Sequence, residues 1–483
     1  MNAPTAADLP PLYVDLDGSL SSSDSLHEST LALVKRSPAS ALALPLWLLQ
    51  HGKSGLKARV TAASGFDATR LPLREEVLTL CREARAAGRT VVLATGASEP
   101  IARALAEHLG LFDAVLASTP ELNLTGQRKL AAIQAHAAGR PFDYVGNERT
   151  DLPIWQASAG AVVVGPAALA AQAAAVAPLR QQISTPQAGL RDWRRAVRLH
   201  QWAKNGLVLL PAIPLLGTLA GWQWLNLLLA FISFGLCASS VYLLNDMLDL
   251  DADRAHATKR HRPLAAGLIP LPAAAGLAVL LLGAALALAF AGVGWLFGAV
   301  LLGYWALTNA YSFDLKRRAG LDVVTLGLLY TMRLFGGAAA IQVKPSFWIL
   351  AFSMFLFFAL AVAKRAVELD RLSHSQRAGK APGRGYAVAD LPMLTAQGVA
   401  ASQLAVLVFA LYINDSTAAS HFVRPEALWA ICPLLLLWVN RVWLCVARGE
   451  LHEDPVLFAL RDRFSHVLVA LAAVCVFLAL VPA

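Results

Sequence analysis

The chain has 483 residues, of which 57% are hydrophobic and only 15% are charged. A soluble protein usually carries about 25% charged residues, so either the core is very large or much of the chain lies in lipid. Residues 1–190 balance 16 basic against 16 acidic residues, whereas residues 191–483 hold 25 against 16. The net charge of +9 therefore belongs to the second part, where basic residues punctuate long apolar runs. That pattern is typical of a membrane protein and not of a nucleic-acid-binding protein.

Residues 12–165 predict an α/β domain with a mostly parallel sheet, because short β-branched runs alternate with amphipathic stretches. The predicted strands are LYVDLD, TVVLATG, AVLAST, DYVGN and AGAVVVG. A largely helical insert interrupts the alternation at 20–75. We expect a first domain at 1–166, a helix and linker at 167–190, and a membrane domain at 191–483.

Nine apolar segments follow, and most approach the ~20 residues needed to cross the hydrocarbon core of a bilayer. They predict an all-α polytopic domain with nine transmembrane helices. The segments are 206–220, 225–245, 269–290, 295–311, 321–341, 346–363, 394–412, 427–446 and 465–482.

The loops predict the orientation of these helices. Alternate loops together carry 22 Lys and Arg, whereas the opposite set holds only Lys344 and Arg424. The basic set, at 191–204, 251–262, 312–320, 364–393 and 440–464, is expected on the cytosolic side of the inner membrane. The N-terminus MNAPTAADLPPLYVDLDG lacks the regions of a signal peptide, so the first domain is expected in the cytosol and the C-terminus outside. The five cysteines show no CxxC or metal spacing and are expected to be reduced.

An acidic cluster ends the second apolar segment. On a helix, Asp246, Asp249 and Asp253 would share one face, and grouped carboxylates suit Mg²⁺, which binds a few carboxylates plus substrate phosphates. The alternative interpretation is a solvated loop, although acids at a membrane edge are usually functional. The basic residues that follow are candidates to hold phosphate oxygens: Arg254, Lys259, Arg260 and Arg262.

The segment NDMLDLDADRAHATKRHRPLAAG resembles the NDxxDxxxD motif of the UbiA superfamily of intramembrane prenyltransferases. The likeness covers about 191–483. It implies that Mg²⁺ and the diphosphate of the donor bind at Asn245, Asp246, Asp249 and Asp253.

Further segments resemble the decaprenyl-phosphate phosphoribosyltransferase branch: RLHQWAKN (198–205), YSFDLKRRAGLDVV (311–324) and AKRAVEL (363–369). This resemblance implies transfer of phosphoribose from phosphoribosyl diphosphate to a polyprenyl phosphate. Aromatic prenyltransferases of the superfamily typically have a second DxxxD cluster. Here Asp314 and Asp322 lie eight residues apart with three basic residues between them, which favours a phosphosugar donor.

Asp322 is the candidate for a second metal site, and an ion pair with a neighbouring Arg is its alternative interpretation. Lys364, Arg365 and Glu368 have an alternative as a helix end whose charges extend toward the interface. Arg333 lies within a span and is expected to face a cavity, because a buried Arg is costly. The predicted substrate-binding residues are Lys204, Asn205, Asn245, Lys259, Arg262, Tyr311, Lys316, Lys364 and Arg365.

The first domain begins with LYVDLDGS, which resembles motif I of the haloacid dehalogenase superfamily, with Ser19 at the usual Thr position. The resemblance implies a Rossmann-like fold with Asp15 as nucleophile and Asp17 as acid/base. Attack by a carboxylate suits phosphate ester hydrolysis, since it divides one displacement into two.

The later motifs follow in the family's order. Thr95 in VVLATGAS is expected to contact the phosphoryl group, and Lys129 in GQRKLAAI to offset its charge. YVGNERTDLPIW supplies Asp151 as a metal ligand beside Asp15 and Asp17, with Asn147 where an Asp is common. The insert is expected to be a small helical cap. His27 and Glu28 within it are expected on the surface, without a role.

Together these features predict an Mg²⁺-dependent membrane transferase that makes a polyprenyl-phosphoryl phosphoribose, and a soluble phosphatase that removes its 5-phosphate. Three alternatives stay open: a prenyltransferase for an aromatic or other acceptor, a non-catalytic lipid-binding scaffold or transporter, and a catalytically inactive first domain that serves for docking. The expected partners are a polyprenyl lipid and a diphosphate donor. Oligomeric state, lipid chain length and the substrate of the first domain do not follow from the sequence.

Overall fold

The computed structural model describes residues 9–374, 384–415, 422–451, 455–459 and 461–481. The chain forms two compact units. One comprises 1–197 together with 243–277, and the other comprises 198–242 together with 278–483. Arg377 and Lys380 belong to the loop 364–393 that is expected on the cytosolic side, and both lie outside the described residues.

The first unit is built on a six-stranded parallel sheet of order β3-β2-β1-β4-β5-β6. All five predicted strands are confirmed. The strands are β1 Leu12–Val14, β2 Val91–Ser98, β3 Ala114–Ser118, β4 Asp143–Gly146, β5 Gly160–Val164 and β6 Leu179–Ile183.

A sixth strand follows the five predicted ones. The segment 167–190, expected to be a helix and linker, contains β6, which pairs with β5. Four of the five β6 residues are exposed, and only Ile183 is buried. A polar edge strand lacks the apolar run on which strand prediction depends, so this strand escaped detection.

Eight α-helices accompany the sheet up to residue 196. They are α1 Ser25–Arg36, α2 Ala43–Ser64, α3 Glu75–Ala86, α4 Glu99–Leu109, α5 Gln127–Ala137, α6 Leu152–Ala157, α7 Ala167–Ala174 and α8 Leu190–Ala196. The helices α1 and α2 form the predicted helical insert. Asp24 begins α1, because its carboxylate accepts hydrogen bonds from the amides of Leu26 (2.8 Å) and His27 (3.1 Å).

Alternate residues of each central strand enter two different cores. Leu12 and Val14 of β1 lie in one cluster, whereas Tyr13 packs into the other. In β4, Val145 and Tyr144 divide in the same way. Because side chains alternate across a strand and both faces of a parallel sheet are covered, this burial fixes the register. The register places the residues after β1 and β4 together at one edge.

The later part of the chain is helical. After the 3₁₀ helix Leu199–Leu215, its α-helices are α9 Gly221–Leu248, α10 Leu250–Ala255, α11 Leu271–Ala287, α12 Trp295–Phe313, α13 Leu321–Ala340, α14 Phe347–His374, α15 Leu391–Asn414, α16 Ile431–Ala447, α17 Pro455–Ala459 and α18 Arg463–Leu480.

Seven helices among the described residues are long and apolar enough to cross a membrane, where the sequence predicts nine. They are Gly221–Leu248, Leu271–Val293, Leu321–Ala340, Phe347–His374, Val388–Asn414, Pro425–Ala447 and Arg463–Leu480. The other two predicted segments are not among these seven helices. Residues 206–215 of the first lie in the 3₁₀ helix, where Pro211 and Pro214 each remove a backbone donor. The second, 295–311, lies in α12.

Gly337 sets the packing of α13 against the 3₁₀ helix. A Cβ at this position would lie 2.0 Å from the carbonyl oxygen of Val208. Only glycine lets the two backbones approach this closely. The contact helps to place the side chains of the second unit described below.

Candidate functional site

The first site lies where the strand order reverses. Asp15 follows β1, and Asn147 and Asp151 follow β4, which pairs directly with β1. In open parallel sheets the carboxyl ends of the strands diverge at such a point and leave a crevice for ligands. The segments after β1 and β4, which carry two of the predicted motifs, therefore lie side by side.

A buried lysine connects the two strands. The Nζ of Lys129, on α5, donates to Asp15 Oδ1 at 2.9 Å and to the Tyr144 hydroxyl at 3.0 Å. The Tyr144 hydroxyl donates to Asp151 Oδ1 at 2.9 Å, and Lys129 Nζ lies 3.8 Å from the same oxygen. The amides of Asn147 and Glu148 donate to Asp151 Oδ2, both at 3.1 Å. One ammonium group thus compensates two carboxylates that are both less than a tenth exposed.

Burial sets the acidity of this cluster. It raises the pKa of Asp15 to about 6, against the lowering effect of Lys129 and with a further raising effect of Asp151. Burial, and next the charge of Asp24, raises the pKa of Asp17 to about 7. Burial acts to lower the pKa of Lys129, but Asp15 and Asp151 more than offset it, so its pKa is raised. Asp17 can therefore gain and lose a proton near neutral pH, as an acid/base residue must.

The neighbouring polar side chains are held by the backbone and by the cap. Thr95 is fully buried in β2, and its hydroxyl accepts from the Ala97 amide at 3.0 Å. Asp17 accepts from the amide and the hydroxyl of Ser25, at 2.8 and 3.1 Å. Asn147, at the usual Asp position, accepts from the Ser19 hydroxyl at 3.0 Å. Of the predicted catalytic residues, Asp15 and Lys129 are thus in direct contact, Asp17 contacts the start of α1, and Thr95 is buried within β2.

The cap adds a cation that the sequence did not reveal. Lys57, on α2, donates to the Gly96 carbonyl at 2.5 Å and to Asn123 Oδ1 at 3.3 Å. Thr61, one turn later on α2, contacts the Ser98 hydroxyl at 2.8 Å. Burial lowers the pKa of Lys57, against the opposing charge of Asp17. The cap therefore covers the end of β2 with a lysine that can face an anionic substrate.

The second candidate site is the acidic motif. Asp246 lies in the last turn of α9, and Asp253 lies in α10, with a break at Asp249 between the two helices. Asp246 and Asp253 are 4% and 2% exposed, and Asp249 is more exposed. Arg262 Nη1 donates to Asp246 Oδ1 at 3.0 Å and to Asp253 Oδ2 at 2.6 Å. The break at Asp249 divides the three acidic residues between two helices, yet Asp246 and Asp253 both accept from the same guanidinium nitrogen.

This pair fits a divalent cation. A single positive nitrogen bridges both carboxylates. The Arg262 side chain is 31% exposed on a loop, so it can move away and leave the space between the carboxylates to a cation. Among the residues that the structure describes, no group of three or more Asp, Glu, His or Cys forms a complete ligand set. Mg²⁺ is usually held by one or two carboxylates with water and substrate phosphates, and two carboxylates meet that need.

The other predicted residues near this motif occupy different positions. Asn245 precedes Asp246 on α9 and is partly buried. Lys259 is exposed and begins the short 3₁₀ helix Lys259–His261. Arg254, a candidate to hold phosphate, instead pairs with Glu28 of the cap. The expectation that Glu28 lies on the surface is wrong, because its side chain is only 2% exposed.

Asp322 lies in a buried network within the second unit. Both carboxylate oxygens accept from the guanidinium of Arg365, and Tyr311 donates to Oδ1 at 2.7 Å. Arg384 Nη1 lies 3.6 Å from Oδ1 and 3.1 Å from the Tyr311 hydroxyl. Asp322 is completely buried and Arg365 is 2% exposed. This geometry matches the ion-pair interpretation of Asp322 better than a second metal site, because a bidentate guanidinium occupies the carboxylate.

A second buried cation lies within a span. Arg333, on α13, donates to Asn205 Oδ1 at 3.1 Å, to the Tyr304 hydroxyl at 2.9 Å and to the Leu329 carbonyl at 2.7 Å. Its guanidinium also lies 5.4 Å from the centre of the Tyr330 ring. These partners satisfy the buried charge without a carboxylate, so the side chain keeps a net positive charge inside the helical unit.

The remaining predicted residues are three lysines of the later part of the chain. Lys204 is 9% exposed, and its Nζ lies 5.6 Å from the centre of the Tyr330 ring. Lys316 lies on the 3₁₀ helix Leu315–Arg317, and Lys364 precedes the buried Arg365 on α14. Both are partly exposed, as residues that meet an anionic substrate need to be.

The second unit also contains two apolar cavities. A cavity of about 550 Å³ lies among the 3₁₀ helix, α14, α15 and α16, with Lys344 and Asp415 as its charged lining residues. A smaller cavity of about 180 Å³ shares Leu210, Ile349 and Phe352 with it and reaches Leu334, next to Arg333. The two cavities suit a long apolar chain.

Several residues that contact the predicted site residues were not identified from the sequence. Tyr144 occupies a buried position in an apolar strand, so its hydroxyl carried no signal. Tyr304 and Arg384 are distant in sequence from the groups that they contact. The alternation in DYVGN does mark Tyr144 as buried, and a buried tyrosine hydroxyl usually needs a partner. Only that rule could have identified it.

Comparison with known proteins gives two family matches. Residues 208–468 match the UbiA prenyltransferase family, and residues 13–156 match the haloacid dehalogenase-like hydrolases. An uncharacterised Sinorhizobium fredii protein, y4nM, is 37% identical over 96% of this chain and 90% of its own length. The decaprenyl-phosphate phosphoribosyltransferase of Mycolicibacterium smegmatis is 38% identical over 57% and 87%. The protoheme IX farnesyltransferase of Azotobacter vinelandii is 30% identical over 52% and 83%.

Proposed function

Because this chain belongs to the UbiA prenyltransferase family, we propose that its membrane domain transfers phosphoribose from phosphoribosyl diphosphate to a polyprenyl phosphate. We propose further that the hydrolase-like domain removes the 5-phosphate of the product. The observation that carries the transferase proposal is the convergence of two buried carboxylates, Asp246 and Asp253, on one cationic nitrogen of Arg262.

Asp246 and Asp253 would hold Mg²⁺, which supplies charge neutralisation for a diphosphate leaving group. Arg262 would then exchange its carboxylate partners for phosphate oxygens, and Lys259 is exposed nearby in sequence for the same purpose. Fixed cations stabilise the negative charge that develops on the departing oxygen. The bond between the sugar carbon and the diphosphate oxygen breaks, and the same carbon forms a bond to an oxygen of the lipid phosphate.

The lipid acceptor is supported by the cavities of the second unit. Their lining is almost wholly apolar, and the smaller one reaches the layer of Arg333 and Tyr330 through Leu334 and Phe357. An isoprenoid chain suits this space. Lys204 is the buried cation that we assign to the lipid phosphate.

The phosphatase proposal depends on the crevice at the ends of β1 and β4. Asp15 attacks phosphorus and forms an aspartyl phosphate, and Asp17 protonates the leaving ribose oxygen. Water then releases phosphate, with Asp17 as base. Lys129 offsets charge throughout, and Asp151 with Asp15 and Asp17 would hold Mg²⁺.

The donor can be decided directly with the full-length protein in detergent. Phosphoribosyl diphosphate and geranyl or longer prenyl diphosphates are supplied separately with Mg²⁺ and polyprenyl phosphate, and diphosphate release is measured. We expect release only from phosphoribosyl diphosphate, and its loss in Asp253→Asn. Release only from prenyl diphosphates would favour the second candidate, prenyl transfer to another acceptor. That candidate is supported by the likeness to protoheme IX farnesyltransferase.

The phosphatase is tested on the lipid product. Mass spectrometry should find dephosphorylated polyprenyl-phosphoryl ribose with the parent protein and the 5-phosphate form with Asp15→Asn. Equal phosphate release by both proteins would exclude the tandem scheme. The proposed cytosolic placement of the basic loops predicts that Lys259 reacts with an impermeant amine reagent in inside-out vesicles and not in intact cells.

A further inference from the structure

The cap helix α1 contacts the segment that carries the acidic motif. Glu28 accepts from both terminal nitrogens of Arg254, at 3.0 and 2.6 Å, and the two side chains are 2% and 12% exposed. A second contact lies beside this pair. Gly267, at a φ of +69°, approaches so closely that a Cβ there would lie 2.2 Å from the Ser22 hydroxyl. Two independent contacts therefore hold the segment 254–267 against the cap.

Arg254 also shapes the segment itself. Its Nε donates to the carbonyl of Ala265 at 3.2 Å, which joins the two ends of the loop between them. The preceding residue, Asp253, accepts from Arg262 within that loop at 2.6 Å. The orientation of Arg254 thus constrains both the carboxylate and the guanidinium of the proposed diphosphate site.

The same helix contacts the phosphatase crevice. Ser25, at the start of α1, donates twice to Asp17, and Glu28 follows three residues later on the same face. Burying an ion pair is costly, and its attested use is to specify one geometry. A buried pair here suits the positioning of a loop.

We propose that Glu28 is a positioning residue for the diphosphate site formed by Asp246, Asp253 and Arg262. It fixes the orientation of Arg254, so that the side chains of Asp253 and Arg262 keep the positions in which they can bind Mg²⁺ and diphosphate. The identity of the ligand rests on the proposed function, whereas the contact and its consequence do not depend on which group is transferred.

The test measures binding instead of turnover. The full-length protein in detergent is titrated with Mg²⁺ and inorganic diphosphate by calorimetry, using Glu28→Gln, Arg254→Gln, the double variant and Glu107→Gln. Glu107 is an exposed residue of the same domain and serves as the matched control. We expect each single variant at Glu28 or Arg254 to bind about tenfold more weakly, a typical coupling between distinct sites.

The double variant supplies the decisive comparison. If the two residues act through one contact, it should bind no more weakly than either single variant. Trypsin should also cleave faster after the exposed Lys259 and Arg260 in Glu28→Gln than in the control. Unfolding temperatures verify folding, and Glu28→Asp, which keeps the charge on a shorter side chain, replaces a variant that does not fold.

Parent-like affinity and cleavage in the Glu28 and Arg254 variants would overturn the positioning role while leaving the proposed function intact. Additive losses in the double variant would likewise overturn it, because they would show two separate effects. A parent protein that binds no diphosphate with Mg²⁺ would instead overturn the proposed function, and the positioning role with it.

Discussion

Replacing Lys129 by Met removes the cation that lies between two buried carboxylates, Asp15 and Asp151. The Met side chain has nearly the same length and no charge, so the packing of α5 is retained. At an effective dielectric of about 20, the attraction of Lys129 to Asp15 over 2.9 Å is about 6 kcal/mol, and to Asp151 over 3.8 Å about 4 kcal/mol. Most of this is recovered when the carboxylates take up protons, and breaking a buried pair typically costs about 3–5 kcal/mol.

The same change should alter the ionisation of Asp15. Its pKa of about 6 already reflects burial opposed by Lys129. A further rise of about two units, equivalent to about 2.7 kcal/mol, would leave Asp15 largely protonated at pH 7. The acid limb of the pH–rate profile for p-nitrophenyl phosphate should then move up by about two units.

Two assays on the full-length protein measure these effects. Thermal unfolding in detergent without Mg²⁺ reports the stability, and phosphate release between pH 5 and 9 reports the ionisation. Lys53→Met, at an exposed lysine of α2, is the matched control and should change neither. An unchanged unfolding temperature together with an unchanged acid limb in Lys129→Met would refute the electrostatic argument. The unfolding assay tests the predicted loss of stability even if the protein does not hydrolyse p-nitrophenyl phosphate.

Three further outcomes are expected. Asp322→Asn should destabilise the membrane domain by about 3–5 kcal/mol, because it leaves Arg365 buried and unpaired; thermal unfolding in detergent measures this. Burial, and next Asp24, raises the pKa of Asp17 to about 7 from 3.8, so the folded state keeps a proton that the unfolded chain releases. The contribution of Asp17 to the free energy of unfolding is complete below about pH 4 and is lost as the pH rises through about 7. Metal-free protein should therefore unfold at a lower temperature at pH 8 than at pH 6, less so for Asp17→Asn. Gly337→Ala should destabilise by about 1–3 kcal/mol through overpacking, seen in the same unfolding assay.

Each of these outcomes has a control or a contrary result. Asp322→Asn with parent stability but lost Mg²⁺ binding would identify Asp322 as a metal ligand instead of an ion-pair partner. An equal pH dependence in Asp17→Asn and the parent would assign the effect to other groups. Gly276→Ala, where an added Cβ meets open space, should unfold like the parent protein.

The local patterns of the sequence determined the architecture. Alternating apolar runs placed five of the six strands, and the long apolar segments with asymmetric loop charge predicted a polytopic domain. The motifs at β1, β2 and β4 were recognised from their residues and order, and the parallel sheet brings the carboxyl ends of these strands to one edge. These features depend on residues near each other in the chain, and such relations are visible in sequence. The strand β6 was missed since its residues are mostly polar.

Tertiary structure alone decided which charged groups face one another. The sequence presented Asp322 as a candidate metal ligand and Glu28 as a surface residue, but each is buried against an arginine, Arg365 in one case and Arg254 in the other. Glu28 and Arg254 lie 226 positions apart in the chain. A buried charge must be compensated by whichever partner the fold brings within a few ångströms, and the distance between such partners along the chain has no period that a sequence pattern can record.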